Sequence, residues 1–209
     1  YRLEEVNNYF NGGATNVSDT FASALWGLEF MHWWAAHGAA GLNFHSGDRV
    51  AAGSNLQPSK YTAYHSISNG YHVRPLGYAM KAFDVGGRGR VVPVEVVSNT
   101  GANLSAYGVL EPDQTLAITL INKAHGSEAH DATVALSVGK GFVAGQTMAL
   151  TVTGGDIAAK SGITLGGAEI KNDGSWRGEW SAFSRVNDQG VLAVAVPAAT
   201  AVIVKLIRE

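Results

Sequence analysis

The stretch Arg2-Leu3-Glu4-Glu5-Val6-Asn7-Asn8-Tyr9-Phe10-Asn11-Gly12-Gly13 decides how the chain is read. Leu3 and the residues around it make a short strand ending at residue 5 or 6. A polar, aromatic, glycine-rich loop follows. Ser18-Asp19 then looks like a helix start: Ser18 can accept from the orphan N–H groups of the first turn, and Asp19 suits the positive end of the helix dipole. Strand, glycine-rich loop and helix in that order form a βα unit. A carboxylate at the end of such a strand is where a (β/α)8 barrel keeps its catalytic groups. Taken alone, a Glu at a strand end is usually just a solvated charge.

Working outward, Phe21, Leu25, Leu28, Met31 and Ala35 recur at helical spacing, and Gly38 stands where a left-handed residue closes the last turn. Trp26, Phe30, Trp33 and Trp34 occupy the other faces, so the spacing predicts a helix buried between layers. Gly41-Leu42-Asn43-Phe44-His45 reads as a short buried strand, and residues 46–70 as a long polar loop. Pro75 opens a second helix through Leu76, Ala79, Met80 and Phe83, which Gly86-Gly87 closes. This is parallel α/β organisation.

After Gly86-Gly87 the pattern changes to period-2 alternation. Val92, Val94 and Val96 alternate, as do Leu116, Ile118 and Leu120, then Val134, Leu136 and Val138. Met148, Leu150 and Val152 continue it, followed by Leu192, Val194 and Val196, and by Val202, Val204 and Leu206. Turn signals such as Pro112-Asp113, Asn172-Asp173-Gly174 and Asn187-Asp188 separate them. The expectation is an antiparallel β-sandwich over 88–209 behind an α/β segment over 1–87.

Composition narrows the function classes. In 209 residues there are 15 Lys+Arg and 17 Asp+Glu, a net charge of -2, which argues against a nucleic-acid footprint. Hydrophobic residues make up 46%, so the chain can build a core. Cysteine is absent, which removes thiol catalysis, disulfides and Cys-ligated zinc. No apolar run is long enough to span a bilayer. The opening Tyr1-Arg2-Leu3-Glu4-Glu5, without a Met, reads as cut from something longer.

The stretch 2–13, with Val17-Ser18-Asp19-Thr20-Phe21-Ala22-Ser23-Ala24-Leu25-Trp26, resembles the nucleophile region of glycoside hydrolase family 79, the β-glucuronidases and heparanases. The resemblance continues through Gly41 to Gly47, Val73 to Tyr78, Ile163 to Gly167 and Asn172 to Trp176. It implies a (β/α)8 barrel with an appended β-sandwich, working with retention. Residues 1–87 are then the last two βα units of the barrel and residues 88–209 the sandwich. Glu5 is implied as the nucleophile, with Glu4 its rival; strict alternation along a strand lets only one of them face the barrel mouth.

Retention needs two carboxyl groups roughly 5–5.5 Å apart. The family carries its acid/base in an Asn-Glu pair, and this sequence contains no Asn-Glu. Of the other acids near the site, Asp19 reads as a helix-start residue, Glu29 as mid-helix and Asp48 as a loop charge. The chain is therefore expected to be incomplete as a catalyst, its partner being the remaining barrel portion of the same enzyme. Phe10, Asn11, Gly12 and Gly13 fall in the family's first binding loop, and Tyr61 roughly where a carboxylate-binding Tyr is expected. Phe10 stands where a Tyr is frequent. His45 is expected as a hydrogen-bond partner behind the site, and His32 and His37 as packing or capping residues.

The implied substrate is a carbohydrate bearing a uronic acid. Arg2, Arg49, Lys60, Arg74 and Lys81 are scattered and offer no basic cleft, which favours a glucuronidase over a heparin-cleaving specificity. No cofactor, metal, nucleic-acid partner or membrane span is implied, and the expected location is secreted or periplasmic, with no signal segment visible in this chain. Two other readings stay open: a non-catalytic carbohydrate-binding or structural β-sandwich module, and a retaining barrel hydrolase for another sugar.

Overall fold

The computed structural model describes residues 1–47, 58–98, 101–139, 141–183 and 186–208. The described residues are mostly β with two α-helices. Its elements are β1 (Leu3–Val6), α1 (Phe21–Ala36), β2 (Leu42–Phe44), β3 (Tyr64–Ile67), β4 (Gly70–Val73) and α2 (Pro75–Gly86). There follow β5 (Arg90–Val92), β6 (Leu104–Leu110), β7 (Leu116–Asn122), β8 (Ala132–Ser137) and β9 (Phe142–Val152). The last are β10 (Ile163–Leu165), β11 (Ser181–Phe183), β12 (Val191–Val196) and β13 (Thr200–Arg208).

A seven-stranded antiparallel sheet organises the molecule, in the order β10-β9-β13-β7-β6-β5, with β11 also pairing β9. Both of its faces are apolar. Side chains alternate along a strand, so β13 sends Ala201 and Ile203 one way and Val202, Val204 and Leu206 the other. The first set joins Ile121, Met148 and Leu150 beneath the helices, packed on Phe21, Leu25, Leu28, Leu76, Ala79 and Ala82. The second joins Ile118 and Leu120 and is covered by Leu136, Leu192, Val194 and Val196 from the β8–β12 ladder.

Two glycines bring the helix layer close. A Cβ on Gly27 of α1 would lie 2.6 Å from Leu76 Cδ1 and 3.1 Å from the Ala79 Cβ. One on Gly86 of α2 would lie 3.0 Å from Ile203 Cγ2 of β13. The helices therefore meet each other and the sheet nearly backbone to side chain.

β1 and β2 pair in parallel, with α1 between them in sequence. Leu42 and Phe44 pack towards the helix core while Asn43 is exposed, so β2 is half-buried rather than buried as expected. The expected 46–70 loop also differs: β3 and β4 form an antiparallel hairpin, His65 opposite His72. Its Tyr-His-Ser-Ile and Gly-Tyr-His-Val strands are too polar to carry an apolar period. β5 stops at Val92, so Val94 and Val96 lie outside any strand. β6, β10 and β11 add strands that the alternation did not mark.

His32 fulfils the packing expectation. It is buried between α1, α2 and the sheet, stacked on Tyr107 at 5.2 Å and edge-on to Phe83 at 4.8 Å. Burial disfavours its charged form and holds its pKa down at about 4 against 6.5. His37 is the C-cap residue of α1; its ring stacks on Trp33 at 3.7 Å and its Nδ1 lies 2.7 Å from the Trp33 carbonyl.

The buried imidazole has a consequence for stability. Above pH 6.5 it costs nothing. Between 6.5 and about 4 the unfolded chain takes up a proton that the folded chain does not, so stability falls as pH falls. The full span corresponds to roughly 3 kcal/mol. His32→Phe, which keeps an aromatic ring in the cavity, is expected to flatten the decline between pH 6.5 and 4 in urea unfolding curves by about that amount. An unchanged slope would show that other groups cause it.

Candidate functional site

The C-terminal ends of β1 and β2 lie side by side, and the loops leaving them are tied together. The His45 N–H donates to the Val6 carbonyl at 3.0 Å, extending the parallel pairing past Phe44. Asn7, the first residue after β1, donates from Nδ2 to the carbonyls of His45 at 2.9 Å and Tyr61 at 3.4 Å. Asn8 donates from Nδ2 to Ser23 Oγ at 2.5 Å, fixing the loop to the first turn of α1.

The glycine loop turns on three consecutive left-handed residues: Asn11 at φ 49°, Gly12 at 84° and Gly13 at 91°. The Gly13 N–H donates to the Phe10 carbonyl at 3.1 Å, and the Gly12 carbonyl accepts from the Lys60 N–H at 2.6 Å. Gly13 must be glycine for a second reason: a Cβ there would sit 3.0 Å from the Tyr61 nitrogen and from the Ser18 side chain. The loop is thus pressed onto the segment that carries Tyr61. The Tyr61 ring is buried, and its hydroxyl lies 2.8 Å from His45 Nδ1, ring edge against ring face. His45 has the partnering role expected of it.

Of the residues singled out from sequence, the fold therefore brings Asn11, Gly12, Gly13 and Tyr61 to one place, at the ends of β1 and β2. Phe10 is 73% exposed and stacks on Tyr9, centroids 5.0 Å apart. Glu5 lies on β1 and is exposed, as is Glu4.

The register corrects the parity argument for choosing between those two. Leu3 pairs with Leu42 and Val6 with Phe44, so β1 has two residues, Glu4 and Glu5, where β2 has only Asn43. This is a β-bulge. Simple alternation does not separate the two glutamates across it. Arg2 donates to the Asn43 side chain at 3.0 Å, adding a cation beside them.

Asp19 also departs from its expected role. The N-cap of α1 is Thr20, with no side-chain cap bond, and the helix begins at Phe21. Asp19 is instead buried, 2.9 Å from Lys160 Nζ and 3.9 Å from Arg74. Burial alone would raise its pKa. The Lys160 ammonium and the Asn16 N–H, at 2.7 Å, more than offset that and hold it below the usual carboxylate range. Ser18 accepts from the Ala14 N–H at 3.0 Å rather than from the helix. Asn7 and the Asp19–Lys160 pair are the contributors that sequence reasoning missed; the only signal was that Asn7 directly follows a strand end.

Glu29 is mid-helix as expected, and bonds Lys123 Nζ at 2.6 Å and the Ser105 hydroxyl. Asp48 lies outside the described residues. Among the described residues, no group of three or more His, Asp or Glu side chains could hold a metal ion, and no helix is long and apolar enough to cross a membrane.

Residues 106–203 match the glycosyl hydrolase family 79 C-terminal beta domain. No curated protein matches the chain. Among solved structures the chain is similar to a 4-O-α-L-rhamnosyl-β-D-glucuronidase from Fusarium oxysporum 12S, at 18% identity and TM-score 0.75, over 98% of this chain and 43% of that one. It is similar to a GH51 arabinofuranosidase from Xanthomonas axonopodis pv. citri, at 16% identity and TM-score 0.60, over 90% of this chain and 36% of that one. A family 44 endoglucanase from Clostridium acetobutylium is similar over 100% of this chain and 32% of that one, at 14% identity and TM-score 0.60. The likeness at these identities is one of fold, and the chain spans less than half the length of each.

Gly13 gives a direct test of this geometry. Gly13→Ala meets both a left-handed backbone and a 3.0 Å approach to the Tyr61 nitrogen. The expected loss is about 1–3 kcal/mol in denaturant unfolding, with the Tyr61 and His45 resonances displaced. Gly174→Ala, at φ 80° but with open space around it, should cost less. Equal losses would mean that the approach to Tyr61 carries no weight.

Proposed function

We propose that this chain, whose residues 106–203 match the glycosyl hydrolase family 79 C-terminal beta domain, is the C-terminal part of a retaining glycoside hydrolase of that family. The enzyme removes β-linked glucuronic acid from glycosides or glycosaminoglycan-type polysaccharides. That the chain is glycoside-hydrolase-related follows from the family match itself. The rest rests on one observation: a parallel strand pair whose C-terminal ends carry a carboxylate, a left-handed glycine loop and a Tyr–His pair.

In this reading residues 1–87 are the last two βα units of a (β/α)8 barrel, and residues 88–209 are the β-sandwich. Glu5 is the nucleophile; its carboxylate attacks the anomeric carbon as the glycosidic C–O bond breaks and the leaving oxygen takes a proton from the acid/base, and water then hydrolyses the glycosyl-enzyme intermediate. The acid/base comes from the remaining barrel portion of the same enzyme, since the chain has no Asn-Glu pair. The glycine loop, with Asn11, Gly12 and Gly13, and the Tyr61 hydroxyl face the uronate carboxylate, which needs donors. The His45 bond fixes that hydroxyl in direction. Phe10 offers a ring face to the sugar and no hydroxyl. A fold neighbour that is a 4-O-α-L-rhamnosyl-β-D-glucuronidase supports the choice of a uronate. A secreted or periplasmic location fits a polysaccharide substrate met outside the cytoplasm.

The test uses the full-length enzyme. A mechanism-based fluoro-glucuronide should label the peptide that contains Glu5, and Glu5→Gln should abolish labelling. That variant should lower kcat by on the order of 10³ or more with folding intact, because the group acts in the transition state. Glu4→Gln should keep most of the activity. A label on Glu4 instead would transfer the nucleophile role by one residue across the bulge. The 209-residue chain by itself should not hydrolyse a chromogenic β-glucuronide. No label and no turnover in the full-length protein would leave the non-catalytic carbohydrate-binding or structural module as the reading.

A further inference from the structure

Helix α1 does not cap itself. Its Thr20 makes no side-chain cap bond, yet its first-turn N–H groups are not orphaned. The Phe21 N–H donates to the Ala159 carbonyl at 2.8 Å and the Ala22 N–H to the Ile157 carbonyl at 2.9 Å. Both acceptors belong to the segment between β9 and β10, more than a hundred residues along the chain. That segment is itself shaped by Asp156, which accepts from the Ala158 N–H at 2.9 Å through its side chain and from the Ala159 N–H at 3.0 Å through its carbonyl. Beside these bonds Lys160 reaches the buried Asp19 at 2.9 Å.

Asp19 and its neighbours hold the loop that ends at α1. The Asp19 carboxylate fixes Asn16, which stands at φ 63°, an uncommon angle for a residue with a side chain. Ser18 holds Ala14 and touches the position above Gly13. Asn8 is bonded to Ser23 in the first turn of the same helix. A continuous line of contacts therefore runs from Lys160 to the glycine loop at the candidate site.

We propose that the Asp156–Lys160 segment of the β domain is a positioning element for the glycine loop, acting through the Lys160–Asp19 pair and the two backbone caps on α1. Lys160 touches no substrate in this arrangement. It sets where Gly12 and Gly13 stand against Tyr61. The catalytic consequence rests on the uronidase reading; the coupling between segment and loop does not.

Two measurements separate the coupling from that reading. The first is amide hydrogen exchange on the 209-residue chain. Lys160→Met should speed exchange of residues 12–22 about tenfold, the equivalent of 1.4 kcal/mol. Strands β7 and β13 should be unaffected, and Lys160→Arg should restore protection. Lys171→Met, which changes an exposed lysine on the turn before Asn172, is the control and should change nothing. Asp19→Asn should loosen the same residues. Unchanged exchange in both Lys160→Met and Asp19→Asn overturns the coupling, whether or not the full-length protein is a glycosidase.

The second measurement is steady-state kinetics of the full-length enzyme on a chromogenic β-glucuronide. Lys160→Met should raise KM about tenfold while leaving kcat nearly unchanged, as for lost uniform binding, and Lys160→Arg should recover it. A looser loop with unaltered KM and kcat overturns the positioning role while leaving the uronidase reading intact. If the wild-type full-length protein turns over no glucuronide, the uronidase reading fails, and the exchange experiment alone decides whether the segment holds the loop.

Discussion

Strand β13 has no face to give to water. From Thr200 to Val204 every residue is buried, and Leu206 is buried beyond the half-buried Lys205. A strand apolar on both sides must sit inside a sheet covered on both sides, because each buried aliphatic side chain is worth about 1.5–3 kcal/mol. One cover is the β8–β12 ladder, which brings only two strands. The other cannot be a second sheet, because the remaining apolar surface is helical: Phe21, Leu25 and Leu28 of α1, and Leu76, Ala79 and Ala82 of α2. The helices are thus fixed on the sheet, and the strand ends that flank α1 are fixed with them. The positions of Glu5, the glycine loop and Tyr61 depend on a strand that touches none of them.

The sites where α1 meets the β domain show how polar groups follow that apolar constraint. A buried carboxylate is costly unless it is paired and hydrogen-bonded. Asp19 meets both conditions. It accepts from the Asn16 N–H, pairs with Lys160 and has Arg74 nearby. Lys160 keeps nearly half its side-chain surface in water, so the desolvation cost falls chiefly on the carboxylate. Glu29 repeats the arrangement one face further along the helix, against Lys123 and Ser105. The Glu29 pair joins α1 itself, and the Asp19 pair the loop that leads into it, to residues of the β domain. Ionic contacts of this kind have a narrower tolerance in direction than the apolar packing beneath them.

The apolar skeleton was legible in the sequence and the polar contacts were not. Leu116 to Leu120, Val134 to Val138, Met148 to Val152, Leu192 to Val196 and Val202 to Leu206 each became a strand because alternation of one face is a local property. Pro75 and Gly38 did what their backbone preferences dictate, at the start of α2 and just past the end of α1. The alternation of Val92, Val94 and Val96 failed past Val92, where β5 stops, and so did inferences from one residue's usual role. Ser18 and Asp19 have the chemistry of helix caps, but the carbonyls of Ile157 and Ala159 took that place, and no local pattern reveals an acceptor so far along the chain. The β3–β4 hairpin escaped notice because its residues alternate in neither hydropathy nor size. At the site, Gly12, Gly13 and Tyr61 are named only through the resemblance to family 79, and the left-handed glycines with their close approach to the Tyr61 nitrogen are what the fold adds. The Asn7 clamp that ties both loops together was not legible.

The bulge in β1 shows why parity along a short strand is a fragile guide. Counting forward from Leu3, which pairs with Leu42, places Glu4 on the side away from the helices. Counting back from Val6, which pairs with Phe44, places Glu5 there. Each count is sound locally, and they disagree because the segment between the two apolar residues has an even length on β1 and an odd length on β2. Pairing both Leu3 and Val6 with apolar partners leaves the extra residue no other place. The bulge interrupts the ladder over one residue, while a strict register would turn one of the two apolar side chains away from its apolar partner on β2. Hydrophobic pairing at the ends of the strand therefore sets the geometry of the two acids between them, and it does so without distinguishing one carboxylate from the other.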